Sequence, residues 1–347
     1  MNFIPYGRQD INQKDIDSVI ETLKSDWITQ GPMIEKFEGK LSRYTGAKYV
    51  SALNSATSAL HIACLSIGVG EGDIVWTSPV TFVASANCAL YCGAKVDFVD
   101  IDENTYNMSI TELEKKLIQA KKDNQLPKVV IPVHLTGQSC EMEKIYELSK
   151  IYGFKIIEDA SHAIGGRYKN EPVGNCKYSD ICVFSFHPVK IVTTAEGGAC
   201  LTNSQELHEK IQMFRTHGIT RNESLMKNDS HGPWYYEQIE LGYNYRITDI
   251  QAALGLSQLD RLDEFISLRH QVATKYIERL KKIDIKLPYQ HPDTYNSYHL
   301  FVIRVPKEIR KKLFIKLRES NIGVNVHYLP VHLQPYYSNL GFSKGGY

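Results

Sequence analysis

From about residue 47 to residue 201 the chain alternates short β-branched and aliphatic runs with amphipathic stretches, and no other feature narrows the possible folds as far. The runs fall at 49–53, 74–77, 96–99, 129–133, 156–158 and 181–184. Between them apolar residues recur at helical spacing, as in Ala59, Leu60, Ile62, Ala63 and Ile67, and again in Met142, Ile145, Leu148 and Tyr152. Strand–helix alternation of this kind predicts an α/β fold whose mainly parallel sheet is covered by helices on both faces. Open sheets of that class gather ligands outside the carboxyl ends of their strands. Asn54, Ser78, Asp159 and Ser185 all stand at such ends, so the search for a site begins there.

At 347 residues the chain has room for one large domain and a smaller one, and it buries a substantial core. A net charge of +1 gives no electrostatic reason to expect nucleic acid or an anionic membrane as a partner. No apolar run reaches the length of a membrane span, and Met1-Asn2-Phe3-Ile4-Pro5 lacks the basic-then-apolar layout of a signal peptide. A cytoplasmic protein is expected. Seven cysteines, an odd number scattered through apolar segments, read as reduced core residues. Cys88 and Cys92 are four apart on an expected helix, but no second pair or histidine cluster follows at metal-ligand spacing, so no metal site is expected.

Beyond the alternating region, Thr248 and Gln251 have the spacing of a helix capping box. Leu259, Leu262, Ile266, Ala273, Tyr276 and Leu280 continue a three–four spacing, which predicts one long helix that bridges two domains or lines a subunit contact. After Pro288 the chain changes character. A strand at 299–304, a basic amphipathic helix with Ile309, Leu313, Phe314 and Leu317 on one face, and a run at 322–326 predict a small α/β domain. The lysines and arginines of that helix read as a solvated face. The expected division is a large domain over residues 1–260 and a small one over 261–347.

The chemistry is concentrated in four stretches. Lys190 lies in Ser185-Phe186-His187-Pro188-Val189-Lys190-Ile191-Val192-Thr193-Thr194-Ala195-Glu196-Gly197-Gly198, and Asp159 closes Phe154-Lys155-Ile156-Ile157-Glu158. A lysine on a turn between β segments, with a buried-looking aspartate upstream, suits pyridoxal phosphate. The amine forms a Schiff base with the aldehyde, and the carboxylate keeps the pyridine nitrogen protonated so that the ring draws electrons. Alone, Lys190 would read as a solvated surface residue; its surroundings reverse that. Asn54-Ser55-Ala56-Thr57-Ser58-Ala59-Leu60 joins a strand to a helix through small and hydroxyl residues, whose free N–H groups and helix dipole suit a phosphate. A plain N-cap by Ser55 or Thr57 is the simpler reading of that stretch by itself. Phe82 stands just past a strand end, placed either to stack on a flat ring or to fill a core. Glu158 and Asp159 are followed by small residues and by His162, which suits donation to a phenolic oxygen or, more plainly, a satisfied core histidine.

Taken in order, residues 54–60, Thr81-Phe82, residues 158–166, residues 185–198 and Gly242-Tyr243-Asn244-Tyr245-Arg246-Ile247-Thr248-Asp249-Ile250-Gln251 resemble the DegT/DnrJ/EryC1/StrS family of pyridoxal-phosphate-dependent sugar aminotransferases. The resemblance runs from about Pro5 through Gly341. It implies the type I, aspartate-aminotransferase-like fold, with a large mainly parallel-sheet domain and a small C-terminal α/β domain. It also implies roles. Lys190 is the Schiff-base lysine, and its freed amine carries the proton between substrate and cofactor carbons. Asp159 pairs with the pyridine nitrogen, Phe82 stacks over the ring, and His162 approaches the phenolic oxygen. Ala56, Thr57 and Ser185 hold the phosphate. Asn244 reaches the phosphate of a neighbouring subunit, which implies an obligate homodimer with shared active sites. Tyr6, Gln30, His327 and Tyr328 are the residues expected to meet the substrate.

Residues 187–198 and Asn325-Val326-His327-Tyr328-Leu329-Pro330-Val331-His332-Leu333-Gln334 resemble the branch of the family that serves pseudaminic-acid biosynthesis. That branch moves an amino group from glutamate to C4 of a UDP-linked 4-keto-6-deoxy-N-acetylhexosamine. An aminotransferase for another nucleotide 4-keto sugar is the nearest alternative. A sugar dehydratase on the same fold would carry histidine in place of Lys190. A non-catalytic regulatory protein would lose the lysine or gain a DNA-binding segment, and neither is seen. Members of the family continue past the Gln-Pro-Tyr-Tyr region with a strand and a helix, whereas ten residues follow Tyr337 here. The small domain is therefore expected to be truncated or abbreviated, with an exposed sheet edge.

Overall fold

Seven strands make one sheet in the computed structural model, which describes residues 2–346. In chain order the elements are α1 (Gln13–Leu23), α2 (Pro32–Thr45), β1 (Tyr49–Leu53), α3 (Ala56–Ser66), β2 (Ile74–Thr77), α4 (Ala84–Tyr91), β3 (Lys95–Phe98), α5 (Ile110–Lys122), β4 (Val129–Ile131), α6 (Met142–Tyr152) and β5 (Lys155–Asp159). A small hairpin, β6 (Arg167–Tyr168) and β7 (Glu171–Pro172), precedes β8 (Ile181–Ser185), β9 (Gly198–Thr202) and α7 (Gln205–Arg215). The sheet order is β1-β9-β8-β5-β4-β2-β3. Strands β3, β2, β4, β5 and β8 pair in parallel, while β9 runs antiparallel to both β8 and β1. Lying antiparallel to two neighbours, β9 leaves β1 pointing with the parallel set. The carboxyl ends of β1, β2, β5 and β8 therefore open on one edge, and that edge holds Asn54, Ser78, Asp159 and Ser185. The expected α/β architecture stands.

Alternate residues of each strand go to opposite faces, as the pleat requires. One face packs Leu53, Val75, Ile131, Ile157, Ile181 and Val183 against Ala59, Leu60, Ile62 and Ala63 of α3. On the other, Val50, Ala52, Phe184 and Leu201 meet Phe37 and Leu41 of α2, while Trp76, Val130 and Ile156 meet Leu113 and Leu117 of α5 and Ile145 of α6. Each large side chain buried in this way stabilises the fold by about 1.5–3 kcal/mol. Helix α3 is sunk deepest, residues 58–64 being buried without exception. Its amino end is thereby held rigidly at the sheet edge. All seven cysteines are free, and none but Cys92 has appreciable exposure. Among the described residues no helix is long and apolar enough to cross a membrane.

Thr248 caps α8 (Asp249–Leu259) through the expected reciprocal pair. The Thr248 hydroxyl oxygen accepts the Gln251 N–H at 3.2 Å, and the Gln251 side-chain oxygen accepts the Thr248 N–H at 3.0 Å. The single long helix expected beyond it is in fact two, because α9 (Leu262–Leu280) begins only after Asp260 and Arg261. The break has a physical cause. Asp15 of α1, wholly buried, accepts hydrogen bonds from Ser257 at 2.6 Å, Gln258 at 2.7 Å and Arg261 at 2.7 Å. Converging on one carboxylate, these donors hold Arg261 at φ −107° and ψ 6°, out of the helical path. Leu262 and Ile266, just past the break, pack in the same core as Phe37.

The strand expected at 299–304 does not form. Among the described residues its one β-bridge is Arg304 with Lys286, and Ile322 likewise forms a single bridge, with Ile4. β-like composition without a continuous neighbour leaves an extended segment and no ladder. Helix α10 (Lys307–Glu319) forms as expected, but none of its residues is fully buried, and Ile309 and Ile315 stay exposed. The chain then returns to the sheet. Val331 N–H donates to the Pro79 carbonyl at 2.8 Å, and in α11 (Pro335–Asn339) the buried Tyr337 donates its hydroxyl to Asn87 at 2.5 Å. That return places Tyr328 at the edge where Asp159 lies.

Candidate active site

Asp159 is the last residue of β5 and is buried. One carboxylate oxygen accepts the hydroxyl of Ser85 in α4 at 2.6 Å, and the other accepts the Ser161 N–H at 3.1 Å. Thr81 lies 2.9 Å from Ser85, hydroxyl to hydroxyl, and extends the network. These two hydrogen bonds fix the side chain. The neighbouring acid does something else. Glu158 faces the other side of the sheet, bonded to His134 Nε2 at 2.7 Å and to the Ser179 hydroxyl. Of the two acids that end this strand, one is left for chemistry.

Lys190 sits in the turn after β8, its N–H donating to the His187 carbonyl at 2.8 Å. The turn is closed by Thr194 N–H to the Phe186 carbonyl at 3.0 Å, by Phe186 N–H to the Gly197 carbonyl at 2.9 Å, and by the Thr193 hydroxyl to the Phe186 carbonyl at 3.0 Å. The Lys190 side chain is half-buried, and its amine has no hydrogen-bonding partner among the described residues. Burial pushes its ammonium down to about 8, while the negative charge of Asp159 pulls the other way.

Beside them is the amino end of α3. Ser55 is its N-cap, accepting the Ser58 N–H at 3.1 Å, so the simpler reading holds for that residue. Ala56 and Thr57 follow as the first two helical residues, whose N–H groups have no partner inside a helix. Gly198 passes directly against them: a Cβ at that position would lie 2.5 Å from the Ala56 nitrogen. The buried Ser185 stands opposite Gly198 in the β8–β9 ladder, so Ala56, Thr57 and Ser185 converge around the glycine. Asn244 is exposed, and its carbonyl accepts the side-chain amide of Asn54 in the same chain at 3.4 Å.

A cluster of rings completes the site. His162 Nδ1 accepts the Thr136 N–H at 3.3 Å, and Nε2 lies 3.4 Å from the Tyr328 hydroxyl. The His299 ring is centred 4.4 Å from that of His162. Phe82, with 58% of its surface exposed, is 6.5 Å from Tyr328, and Tyr6 is 5.7 Å from His327. Burial first, and then the charge of Lys190, holds His162, His299 and His327 below the ordinary imidazole range. Burial likewise pushes the Tyr328 phenol up. Gln30 is not brought into this cluster. It is exposed and lines a separate cleft of about 160 Å³ with Glu38, Arg215 and Arg246.

Sequence reading missed Ser85 and His299. The signal for Ser85 is a hydroxyl four residues after Thr81 at the start of an otherwise small-residue helix. His299 is hidden inside a run that reads as a strand.

These residues fit pyridoxal phosphate. A buried carboxylate oriented by two donors suits its pyridine nitrogen, and an unpartnered amine of depressed pKa suits its aldehyde. A helix amino end cleared by a glycine suits its phosphate, and the open Phe82 face suits its ring.

The family model for "DegT/DnrJ/EryC1/StrS aminotransferase family" matches residues 9–346. The UDP-4-amino-4,6-dideoxy-N-acetyl-beta-L-altrosamine transaminase of Campylobacter jejuni is 40% identical over 97% of this chain and 86% of its own length. The solved structure of Helicobacter pylori PseC, an aminotransferase involved in the biosynthesis of pseudoaminic acid, superposes with a TM-score of 0.89 at 33% identity, covering 98% of this chain and 88% of that one. The pyridoxal-phosphate form of the putative sugar aminotransferase Spr1654 from Streptococcus pneumoniae gives 0.87 at 32% identity, over 98% and 88%. With the lysine, the aspartate and the helix end assembled on one sheet edge, the chain belongs to the DegT/DnrJ/EryC1/StrS aminotransferase family and is a pyridoxal-phosphate-dependent sugar aminotransferase.

Proposed function

We propose that the enzyme transfers the amino group of glutamate to C4 of a UDP-linked 4-keto-6-deoxy-N-acetylhexosamine. The observation that carries this reading is the 40% identity, across 97% of the chain, to the Campylobacter jejuni transaminase. Pyridoxal phosphate, when bound, supplies the aldehyde that accepts the amino group and a ring that draws electrons from the substrate carbon. Lys190 anchors the cofactor and moves the proton, and burial lowers the pKa of its amine, which favours the neutral form able to accept a proton. Asp159 stabilises the protonated pyridine nitrogen, and Ser85 keeps that carboxylate aimed. His162 donates to the phenolic oxygen, Phe82 stacks on the ring, and Ala56, Thr57 and Ser185 hold the phosphate. Tyr6, His327 and Tyr328 meet the sugar, with Gln30 reaching it from the neighbouring cleft.

The reading includes a homodimer in which Asn244 contributes to the partner's phosphate site. Its exposed side chain supports this, as do the apolar groups shortly before it: Trp234 and Leu241 expose 72% and 74% of their surface, which a second copy would cover. Residues 1–260 and 261–347 are taken as large and small domains, and the cytoplasm, where nucleotide sugars are soluble substrates, as the compartment.

The test is incubation of the purified enzyme with glutamate and a panel of UDP- and dTDP-linked 4-keto sugars, followed by identification of the aminated product. Amination at C4 of the UDP-linked N-acetylated sugar is expected, with glutamate bleaching the yellow protein. Preference for a dTDP sugar, or amination at C3, would overturn the substrate while leaving the reaction class intact.

A further inference from the structure

Thr136, in the 3-10 turn Leu135–Gly137, has a left-handed backbone with φ 65°, unusual for a β-branched residue. In that conformation its N–H points at His162 Nδ1, 3.3 Å away. A ring nitrogen that accepts an N–H carries its lone pair there, so the proton of the neutral ring sits on Nε2. Nε2 is the atom that faces Tyr328, and His162 is thereby a donor on that side.

The segment from Asn296 to Leu300 holds this arrangement from behind. Ser297 donates its hydroxyl to the His162 carbonyl at 2.9 Å, Ser297 N–H donates to the Gly137 carbonyl at 3.0 Å, and Leu300 N–H donates to the Thr136 carbonyl at 3.1 Å. His299, between them, is buried and lays its ring against that of His162, centroids 4.4 Å apart and planes at 45°. Its backbone is clamped in turn, Arg269 donating to the carbonyls of Tyr298 at 3.0 Å and His299 at 3.2 Å. His299 Nδ1 has no hydrogen-bonding partner. Its hold on His162 is therefore exerted by the face of the ring, with no hydrogen bond between the two.

We propose that His299 is a positioning residue: through its ring face it fixes the orientation of His162 in the single tautomer that donates from Nε2. The charged and titratable groups around the pair are Lys190, His187, His327, Tyr328 and Arg269. Burial, reinforced by the nearby positive charges, favours neutral rings at both positions. The consequence for turnover rests on the role given above to His162; the positioning itself does not.

The test is ring nitrogen and carbon NMR of histidine-labelled, cofactor-free, full-length protein. Wild-type His162 is expected to keep an unprotonated Nδ1 and a protonated Nε2 from about pH 6 to about pH 8, the range in which a free imidazole changes charge. His299→Ala should lose that single state, His162 then titrating within the range or exchanging between tautomers. His299→Phe, which restores a ring face, should keep it. Should His299→Ala fail to fold, His299→Gln, similar in length but without a ring, is expected to lose the state as well. A wild-type His162 that titrates normally, or one whose signals ignore the loss of the His299 ring, overturns the proposal. Because the signals are read without cofactor or substrate, an error in the substrate assignment leaves them unchanged.

Discussion

Lys190 and Asp159 meet opposite surroundings. Ser85 and Ser161 donate to Asp159 and hold its carboxylate in place, whereas burial disfavours the charge on Lys190 and no hydrogen bond among the described residues offsets it. In the cofactor-free protein, acylation of Lys190 should rise with a midpoint near pH 8, well below the value of about 10.4 for exposed lysines. The sign for stability follows from the same shift. The folded pKa is the lower one, so the cost of burying the ammonium is present in full below about pH 8 and is relieved as pH rises towards the unfolded value of about 10.4. Mass-spectrometric mapping of the labelled lysines checks this, and a Lys190 midpoint near that of the surface lysines would refute the burial argument. For Asp159, an amide is isosteric but uncharged. Asp159→Asn should keep the fold, read by circular dichroism, and lower kcat by orders of magnitude, because on the proposed role the pyridinium would lose its counter-charge. A change of about 1 kcal/mol or less in the barrier would make Asp159 merely structural.

The elements that build the edge are those whose specification is local. β1, β2, β5 and β8 follow their own apolar runs, and α3 follows its Ser55 cap and small residues. Gly198 joins two of them: strand β9 starts where a side chain would strike the Ser55 and Ala56 backbone at 2.5 Å. Backbone cannot swing aside as a side-chain tip does. Gly198→Ala should therefore push β9 away from the amino end of α3, the proposed phosphate site. The expected outcome is a cofactor dissociation constant raised tenfold or more, about 1.4 kcal/mol, read by equilibrium dialysis; unchanged affinity would mean that the glycine does not shape the cradle. What the sequence did not disclose lies in long-range contacts. The break at Arg261 is made by Asp15, 246 positions away, and the residues at 299–304 look like a strand but lack a neighbour. Ser85 gains its importance from an aspartate 74 positions on, and His299 from a ring that only the folded chain sets beside it. Periodicity and caps act within an element; these contacts are fixed only when elements dock.

For the whole molecule, the turn that carries Asn244 is fastened to the edge of its own site, Asn54 N–H donating to the Tyr245 carbonyl at 2.9 Å and Leu53 bridging to Arg246. The backbone is thus anchored within its own chain, while Asn244 itself is exposed. If it acts across a two-fold dimer, Asn244→Ala should weaken cofactor retention and leave the lysine chemistry untouched. Lys190→Ala, lacking the amine, should be inactive. Mixed after subunit exchange, the two variants should recover activity, because one site of each heterodimer combines a native Lys190 from one chain with a native Asn244 from the other. Assayed at a cofactor concentration too low for Asn244→Ala alone to turn over, random exchange makes about half the dimers mixed, each with one intact site of two, so recovery to about a quarter of wild-type activity is expected. The measurement is activity before and after exchange, with exchange itself verified by native mass spectrometry. A chain that sizes as a monomer, or a mixture no more active than its parents despite demonstrated heterodimers, would show that each site is built from one chain alone.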